Sequence, residues 1–265
     1  MKGEEAAVRW LVPDWPVTTR VHAAVSLRGG GVSRAPYESL NLASHVGDDP
    51  AAVQENRRRL CGALGLAGEP RWLSQVHGRQ VLTVQEPAQA PAALAPAARG
   101  VEAPAPPQAD AAVTRRVGCP LGVLVADCLP VLLASEDGET IGIAHAGWRG
   151  LAAGVLEAVI AAMRHEPAQL HAWLGPAIGQ AHFEVGAEVR AALCETDPGA
   201  DGHFQANARG RWQCDLHGLV ARRLAGLGVR SLHGQRRCTY AQPQVFFSYR
   251  REGVTGRMAA LIWLA

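Results

Sequence analysis

The chain has 265 residues, of which 48% are hydrophobic and 19% are charged, and its formal net charge at pH 7 is +2. A folded chain of this length removes roughly three quarters of its unfolded surface from water, so its core needs no disulfide bonds for support. The near balance of charge argues against a nucleic-acid groove or an anionic membrane surface as the main partner.

The cysteines and the N-terminal segment bear on location. Six cysteines are scattered without a CxxC pair, and residues 1–10 lack the apolar stretch of a secretory signal. No apolar run reaches the roughly 18 residues that a membrane helix needs. These features predict free thiols in a reducing compartment, with the cytoplasm as the expected location.

The first predicted elements are a helix and two short β segments. The helix begins at Asp49 and Pro50 and ends near Gly65, because Asp caps the free N–H groups of a first turn and Pro fits its first position. Short β-type segments follow over 72–76 and 80–84.

An interval rich in Ala and Pro, with a few polar residues, covers about residues 86–108. Proline interrupts both helix and sheet hydrogen bonding, so this interval is interpreted as a loop. Because β-type segments lie before it and again at 111–114, we interpret it as an insertion within one domain, residues 1–265, rather than as a linker between two.

The second half of the chain alternates apolar strand-length runs with amphipathic helices. Continuous apolar runs, which indicate strands covered on both faces, occupy 121–126, 131–134 and 140–144. Helices are predicted after Gly150 and over 215–224, and a strand over 258–264. This alternation predicts a mixed α/β domain.

Reactive residue types follow three of the predicted strands. Cys128 and His145 each come after an apolar run, and His77 ends the segment at 72–76. Strand ends in α/β proteins commonly display reactive side chains. The helix after Gly150 would direct free N–H groups towards His145, and Arg149 adds a positive charge, which favours an anion site.

Each of these residues also has an ordinary structural interpretation. A buried cysteine is usually a small hydrophobic group, and most of the ten histidines must be inert. Asp127 precedes Cys128, and an acidic residue in an apolar stretch needs a partner. The spacing from His77 to Cys128 and on to His145 matches no short zinc motif, so spacing alone leaves both interpretations open.

Seven segments occur in an order that resembles the bacterial YfiH/YlmD family, which is related to the mammalian laccase-domain-containing protein. They are SLNL (39–42), HVGDD (45–49), SQVHG (74–78), DCLP (127–130), HAGWRG (145–150), GPAIG (175–179) and FFSYRR (246–251). The resemblance implies a single-domain layered α/β/β/α sandwich with mixed sheets. It also implies a zinc site and the activities assigned to members: purine nucleoside phosphorylase, methylthioadenosine phosphorylase and adenosine deaminase.

Carried over to this chain, the family's metal ligands fall on His77, Cys128 and His145. Two imidazoles and a thiolate leave the fourth tetrahedral position open for water or substrate, as a catalytic zinc site requires. Copper is the alternative occupant. The resemblance further implies that Asn41 and Arg57 contact the nucleoside and the phosphate.

These expectations combine into one leading hypothesis, a zinc-dependent enzyme that phosphorolyses adenosine, inosine and methylthioadenosine and deaminates adenosine. In phosphorolysis, Arg57 and Arg149 are the expected contacts of the phosphate anion. In deamination, a metal lowers the pKa of the attacking water, and Asp127 is the expected proton shuttle. Cys128 would be held as a thiolate and counts among the catalytic residues.

Three other functions remain open from the sequence. Cys128 could be a nucleophile with His145 as its base, as in a thiol amidohydrolase, and some family members are linked to peptidoglycan-precursor editing. The family's older label is copper-dependent polyphenol oxidase, although this chain has no His-X-His pair of the kind that multi-copper clusters use. A non-enzymatic binding module with structural zinc would need a fourth protein ligand, for which His22, His45 and His182 are candidates.

Overall fold

The computed structural model of the protein describes residues 7–85 and 105–265. Its strands are β1 (Trp10–Leu11), β2 (Val21–Ser26), β3 (Val81–Val84), β4 (Ala111–Thr114), β5 (Leu121–Val125), β6 (Leu129–Ser135), β7 (Ile141–Ala146), β8 (Leu170–Leu174), β9 (Glu184–Val185), β10 (Phe204–Ala206), β11 (Trp212–Cys214), β12 (Ser231–His233) and β13 (Met258–Leu264). Its α-helices are α1 (Pro50–Leu64), α2 (Trp148–Ala153), α3 (Val155–Met163), α4 (Ala187–Thr196), α5 (Leu216–Gly226) and α6 (Tyr249–Glu252).

Two large sheets face each other. One has four antiparallel strands in the order β1-β2-β13-β5, and the other has six strands of mixed direction in the order β12-β8-β6-β7-β4-β3. Buried side chains of both sheets share one core, among them Val123 and Ile262 from the first and Leu132 and Ile143 from the second. A small third sheet has the order β10-β11-β9.

Helices cover the outer faces of the two large sheets. On the six-stranded sheet, Leu133 shares a core cluster with Leu156 of α3 and with side chains of α2, α4 and α5. On the four-stranded sheet, Leu124 shares a second cluster with Leu60 of α1. The layers therefore run helix, sheet, sheet, helix, which confirms the predicted α/β/β/α sandwich with mixed sheets.

Strands β3 and β4 flank the Ala/Pro-rich interval and pair in parallel, with Val81 opposite Ala111 and Val84 opposite Thr114. The interval predicted at about 86–108 lies outside the described residues except for 105–108. Because both flanking strands belong to one sheet, the interval connects neighbouring strands, as an insertion would. The extent of the single domain over the whole chain stays a prediction.

Local signals predicted some elements better than others. Helix α1 begins and ends as expected, since the Asp49 carboxylate accepts a hydrogen bond from the Ala51 N–H at 2.9 Å and Gly65 closes the helix with a left-handed φ of 63°. The helix expected after Gly150 is wrong in two respects. It begins earlier, at the first residue of α2, and a left-handed Gly154 with φ of 90° divides it into α2 and α3.

The strand expected at 72–76 is also wrong. Its neighbourhood forms only isolated bridges, at Arg71 with Leu121 and at Ser74 with Gln108, and His77 lies in a bend with a φ of 59° rather than at a strand end. The reason is that this stretch runs along the sheet edges without a continuous partner.

All six cysteines are free thiols, as expected. Within residues 7–85 and 105–265, no helix combines the length and the apolar character needed to cross a bilayer.

Candidate metal centre

His77, Cys128 and His145 come from three separate segments and converge, so that their ligand atoms all lie within 4.8 Å of one another. The Nε2 atom of His77 is 3.8 Å from the Cys128 sulfur. Tetrahedral zinc, with Zn–S near 2.3 Å and Zn–N near 2.1 Å, separates such a pair of ligand atoms by about 3.6 Å. The spacing and the donor types therefore fit a small cation such as Zn²⁺.

The pairing of β6 with β7 brings two of these residues together. Pro130 lies opposite His145 in this antiparallel pair, and Cys128 immediately precedes β6. Cys128 occupies the turn in which the chain passes from the four-stranded sheet to the six-stranded sheet. The sulfur and the imidazole therefore meet at one end of the sheet sandwich.

Asp127 shapes the turn that presents Cys128. Its φ is 98°, a conformation that few residues other than glycine adopt. Its carboxylate accepts hydrogen bonds from the Thr239 hydroxyl at 2.6 Å and from the Arg250 backbone N–H at 2.7 Å. These bonds hold the strained turn in place, and Asp127 also lines the cavity described below.

Asp110 positions the two histidines, and the sequence analysis missed it. This fully buried carboxylate accepts a hydrogen bond from Nδ1 of His145 at 2.9 Å. It also accepts the backbone N–H groups of Val76 at 3.1 Å, His77 at 2.9 Å and Gly78 at 2.7 Å. Such a carboxylate fixes the tautomer and orientation of a ligating imidazole. A signal was available, because Asp110 is an acidic residue at the start of the apolar segment 111–114.

Charges within the cluster reinforce each other. Burial opposes ionisation of Cys128, but the charge of His145 and hydrogen bonds from both histidines outweigh burial and lower the pKa of the thiol. Burial likewise opposes protonation of His145, but Cys128 and Asp110 outweigh it and raise the pKa of the imidazole. Both shifts therefore favour the thiolate form of Cys128 and the imidazolium form of His145.

Gly147 gives the cluster its room. A Cβ atom at this position would lie 2.9 Å from the sulfur of Cys128 and 3.1 Å from Cδ2 of His77. The backbone φ of −74° is an ordinary one, so the need for glycine is steric rather than conformational. Any larger residue here would press on two of the three candidate ligands.

The cluster opens into a cavity of about 660 Å³, a volume in the range of small-molecule sites. Its apolar and aromatic lining comes from Leu124, Ala126, Trp148, Ile178, Phe183, Val185, Val189, Leu216 and Tyr249. Its charged lining comes from Asp127, Arg149, Glu184, Glu188, Arg211, Arg250 and Arg257. Arg149 is exposed and stacks on the ring of Trp148 at 4.6 Å. The cavity can therefore enclose a ligand that has both an apolar and an anionic part.

Asn41 and Arg57, which the resemblance implied as substrate contacts, do not line this cavity. Asn41 is fully buried and donates to the Ala43 carbonyl at 3.1 Å and to Asp48 at 2.8 Å. Arg57 forms an ion pair with Glu69 at 3.1 Å. Their roles as substrate contacts stay predictions, which these contacts do not support, because both side chains are occupied within the protein.

Arg257 and His45 line the cavity although the sequence analysis gave neither a role in catalysis or substrate binding. His45 belongs to a quoted segment, HVGDD, which could have drawn attention to it. Arg257 immediately precedes β13 and has no local pattern around it that marks a site. Only the three-dimensional structure shows that its side chain reaches the cavity.

Comparison with known proteins adds a family and close relatives. The family model described as "Multi-copper polyphenol oxidoreductase laccase" matches residues 22–265. A Xylella fastidiosa protein named "Purine nucleoside phosphorylase" is 49% identical over 260 residues, covering 96% of each chain. The Escherichia coli K12 protein named "Purine nucleoside phosphorylase YfiH" is 44% identical over 254 residues, covering 96% of this chain and 98% of the relative.

Solved structures share the fold. The Neisseria meningitidis protein NMB0706 superposes with a TM-score of 0.85 and 42% identity, covering 96% of this chain and 98% of the other. YlmD from Geobacillus stearothermophilus superposes with a TM-score of 0.86 and 31% identity, covering 98% of both. The resemblance noted from the sequence segments is thereby confirmed over nearly the whole chain.

Proposed function

The chain belongs to the family described as multi-copper polyphenol oxidoreductase laccase, and we propose that within this family it is a zinc-dependent purine nucleoside phosphorylase. The observation that carries the proposal is the three-residue cluster of His77, Cys128 and His145 at the wall of a cavity of about 660 Å³. Relatives named purine nucleoside phosphorylase, matching over 96% of this chain, support the choice of reaction.

In phosphorolysis, an oxygen of phosphate bonds to C1′ of the ribose while the bond from C1′ to the purine breaks. The bonding electrons leave with the purine, which takes up a proton. Zn²⁺ held by the three-residue cluster would supply a Lewis acid. The aromatic groups of Trp148, Phe183 and Tyr249 offer surfaces for the purine and exclude water. Arg149 on the same lining offers positive charge for the anion.

The set of candidate metal ligands helps to decide whether the chain could carry out the polyphenol oxidation named in the family description. Multi-copper oxidation needs an electron-transfer copper and a separate cluster rich in histidine. In the part of the chain that the structure describes, His77, Cys128 and His145 form one group of candidate ligands. This set supports a single metal ion, so polyphenol oxidation is the less favoured chemistry.

A structural zinc site would need a fourth protein ligand. Of the three candidates, His22 stacks on Trp263 and His182 stacks on Tyr240, while His45 lines the cavity. None joins the candidate ligand group among the described residues. This arrangement favours an open coordination position over a closed structural site.

A second candidate function rests on a specific contact. His145 lies between Cys128 and Asp110, bonding the carboxylate through Nδ1 and interacting with the thiol, in the order nucleophile, base and orienting acid. This order is the one that activates a thiol nucleophile in amide hydrolysis. In that reaction His77 contributes only a hydrogen bond that favours the thiolate, whereas metal binding requires it as a ligand, so a His77 variant assayed for both activity and bound zinc separates the two functions.

Deamination of adenosine was expected to use Asp127 as a proton shuttle. Its two carboxylate oxygens accept hydrogen bonds from Thr239 and from the Arg250 backbone, which gives the residue a clear structural role. No contact singles out deamination, and it stays a prediction to be measured with the main activity.

The deciding experiment supplies zinc-loaded protein with inosine, adenosine or methylthioadenosine, with and without inorganic phosphate. The proposal expects free purine and sugar 1-phosphate in equal amounts, dependent on phosphate. Inosine formed from adenosine would report deamination. Fully zinc-loaded protein that yields neither purine nor sugar phosphate from any of the three nucleosides would contradict the proposal.

A further inference from the structure

Arg257 lines the cavity and has a hydrogen-bonding edge that no described residue uses. Its Nη1 atom donates to the carbonyl groups of Thr255 at 2.7 Å and Gly256 at 3.1 Å. Among the described residues, no acceptor bonds its Nε or Nη2 atoms and no carboxylate forms an ion pair with it. Nε and Nη2 form the edge of a guanidinium that binds two oxygens of a carboxylate or phosphate.

The other arginines that line the cavity either contact Glu184 or are exposed to solvent. Arg211 lies 3.9 Å from the Glu184 carboxylate, and Nη1 of Arg250 donates to the Glu184 carbonyl at 2.6 Å. Arg149 is exposed to solvent. Arg257 therefore stands apart as a half-buried cation with a free edge, and a cation in this position gains most from an anion that arrives from solution.

Two hydrogen bonds with the SLNL segment hold the backbone of Arg257 in place. Its N–H donates to Oδ1 of Asn41 at 3.0 Å, and its carbonyl accepts the N–H of Leu42 at 3.3 Å. Asn41 is itself held by Asp48 at 2.8 Å. The SLNL segment thus acts on the cavity indirectly, by holding the residue whose side chain lines it, and the guanidinium needs little reorganisation to bind a ligand.

Arg257 remains a cation although its side chain is half-buried. Burial lowers the pKa of Arg257, and attraction to Cys128 and Asp127 opposes this effect, so the guanidinium stays charged at neutral pH. Burial lowers the pKa of His45, and the charges of Arg257 and Arg57 lower it further. A neutral His45 beside Arg257 can donate a hydrogen bond without adding a second charge.

We propose that Arg257 binds the phosphate that attacks the nucleoside, with its Nε and Nη2 groups donating to two phosphate oxygens. This inference rests on the proposed phosphorolysis and assigns to Arg257 the role that the resemblance suggested for Arg57. Hydrogen phosphate forms the new C1′–O bond through one oxygen, and the proton it carried ends on the departing purine. Arg257 neutralises the anion on binding and keeps hold of the same group in the sugar 1-phosphate product.

The test compares Arg257→Gln, Arg257→Lys and a matched control, Arg230→Gln. Arg230 is exposed and does not line the cavity. We expect Arg257→Gln to raise the KM for phosphate about 10- to 100-fold, since it removes a charged two-point contact, while the KM for inosine changes little. Arg257→Lys should have a KM for phosphate between those of the wild type and Arg257→Gln, because lysine keeps the positive charge but cannot donate two parallel hydrogen bonds. Arg230→Gln should have the same KM values for phosphate and inosine as the wild type.

Binding measurements separate this inference from the proposed function. Calorimetry on the zinc-loaded protein uses inorganic phosphate alone, ribose 1-phosphate alone and inosine alone. The inference expects Arg257→Gln to weaken both phosphate compounds and to spare inosine, with a melting temperature close to that of Arg257→Lys. If the wild type phosphorolyses nucleosides but Arg257→Gln binds phosphate as well as Arg230→Gln does, the inference fails and the function stands. If phosphate binding depends on Arg257 without any phosphorolysis, the function fails and the anion site stands.

Discussion

Nδ1 of His145 donates to the carboxylate of Asp110 at 2.9 Å, and the same carboxylate binds the backbone N–H of His77. One buried acid therefore positions two of the three candidate ligands. It leaves Nε2 of His145 to face Cys128. The geometry of the cluster depends on this acid as much as on the ligands themselves.

Replacing this acid should weaken metal binding without removing a ligand. In Asp110→Asn the amide accepts fewer of the four N–H groups and no longer supports the charge on His145. We expect zinc affinity to fall about 10- to 100-fold and the free energy of unfolding to fall by about 1–3 kcal/mol. Zinc competition with a chelator measures the first and urea unfolding the second. Asp14→Asn, an exposed acid, is the control, and equal zinc affinity in the two variants would count against the role of Asp110.

A methyl group at position 147 should disturb the cluster by crowding. In Gly147→Ala the added Cβ would lie 2.9 Å from the Cys128 sulfur, so we expect reduced zinc content and a loss of about 1–3 kcal/mol in stability. The matched change is Gly62→Ala in α1, where a Cβ meets nothing within 4 Å. That variant should gain up to about 1 kcal/mol because alanine favours helix. Elemental analysis measures the zinc content of both variants, and thermal unfolding measures their stability. Full zinc occupancy in Gly147→Ala would refute the steric argument.

His77 decides between metal catalysis and a thiol nucleophile. If the cluster binds catalytic zinc, His77→Asn should lose activity to about the same extent as Cys128→Ser, together with bound zinc. If Cys128 acts as a nucleophile, Cys128→Ser should be inactive, and His77→Asn should lose only the part of the activity that depends on its hydrogen bond to the thiol. Turnover and zinc content are measured in parallel, with the exposed His22→Asn as the control histidine.

Asn41 should matter for stability first and for phosphate second. Asn41→Ala removes hydrogen bonds to Asp48 and to the Arg257 N–H from a fully buried position. We expect unfolding free energy to fall by about 2–4 kcal/mol, since several buried groups lose a partner. We also expect a higher KM for phosphate, because Arg257 loses its anchor. A variant with unchanged stability but a higher KM for the nucleoside would instead support direct contact with substrate.

The sequence predicted features that depend on neighbouring residues. The cap at Asp49, the stop at Gly65 and the apolar strands all follow from local chemistry, and the structure confirms them. The break at Gly154 was missed because apolar residues keep helical spacing on both sides of it. The strand before His77 was wrong because a strand needs a partner, and partners come from distant parts of the chain.

In the candidate site, too, the contacts that the sequence did not predict are those between residues far apart in the chain. Resemblance pointed to three candidate ligands that the fold brings together, but it could not say what Asn41 contacts. Asp110 and Arg257 act through partners 35 and 216 residues away, His145 and Asn41 respectively. No local window of sequence contains such pairs, so only the packed sheets show them.

The passage of the chain from one sheet to the other at Cys128 has a consequence for how the protein matures. The three candidate ligands are far apart in the chain and meet only when both sheets have formed. A nascent or unfolded polypeptide therefore offers a metal ion only isolated weak ligands. We therefore expect the ion to bind after the two sheets have packed together, and we expect a misfolded form to bind it weakly. Zinc uptake by freshly refolded protein should lag behind burial of the tryptophans, which makes metal loading a readout of completed topology.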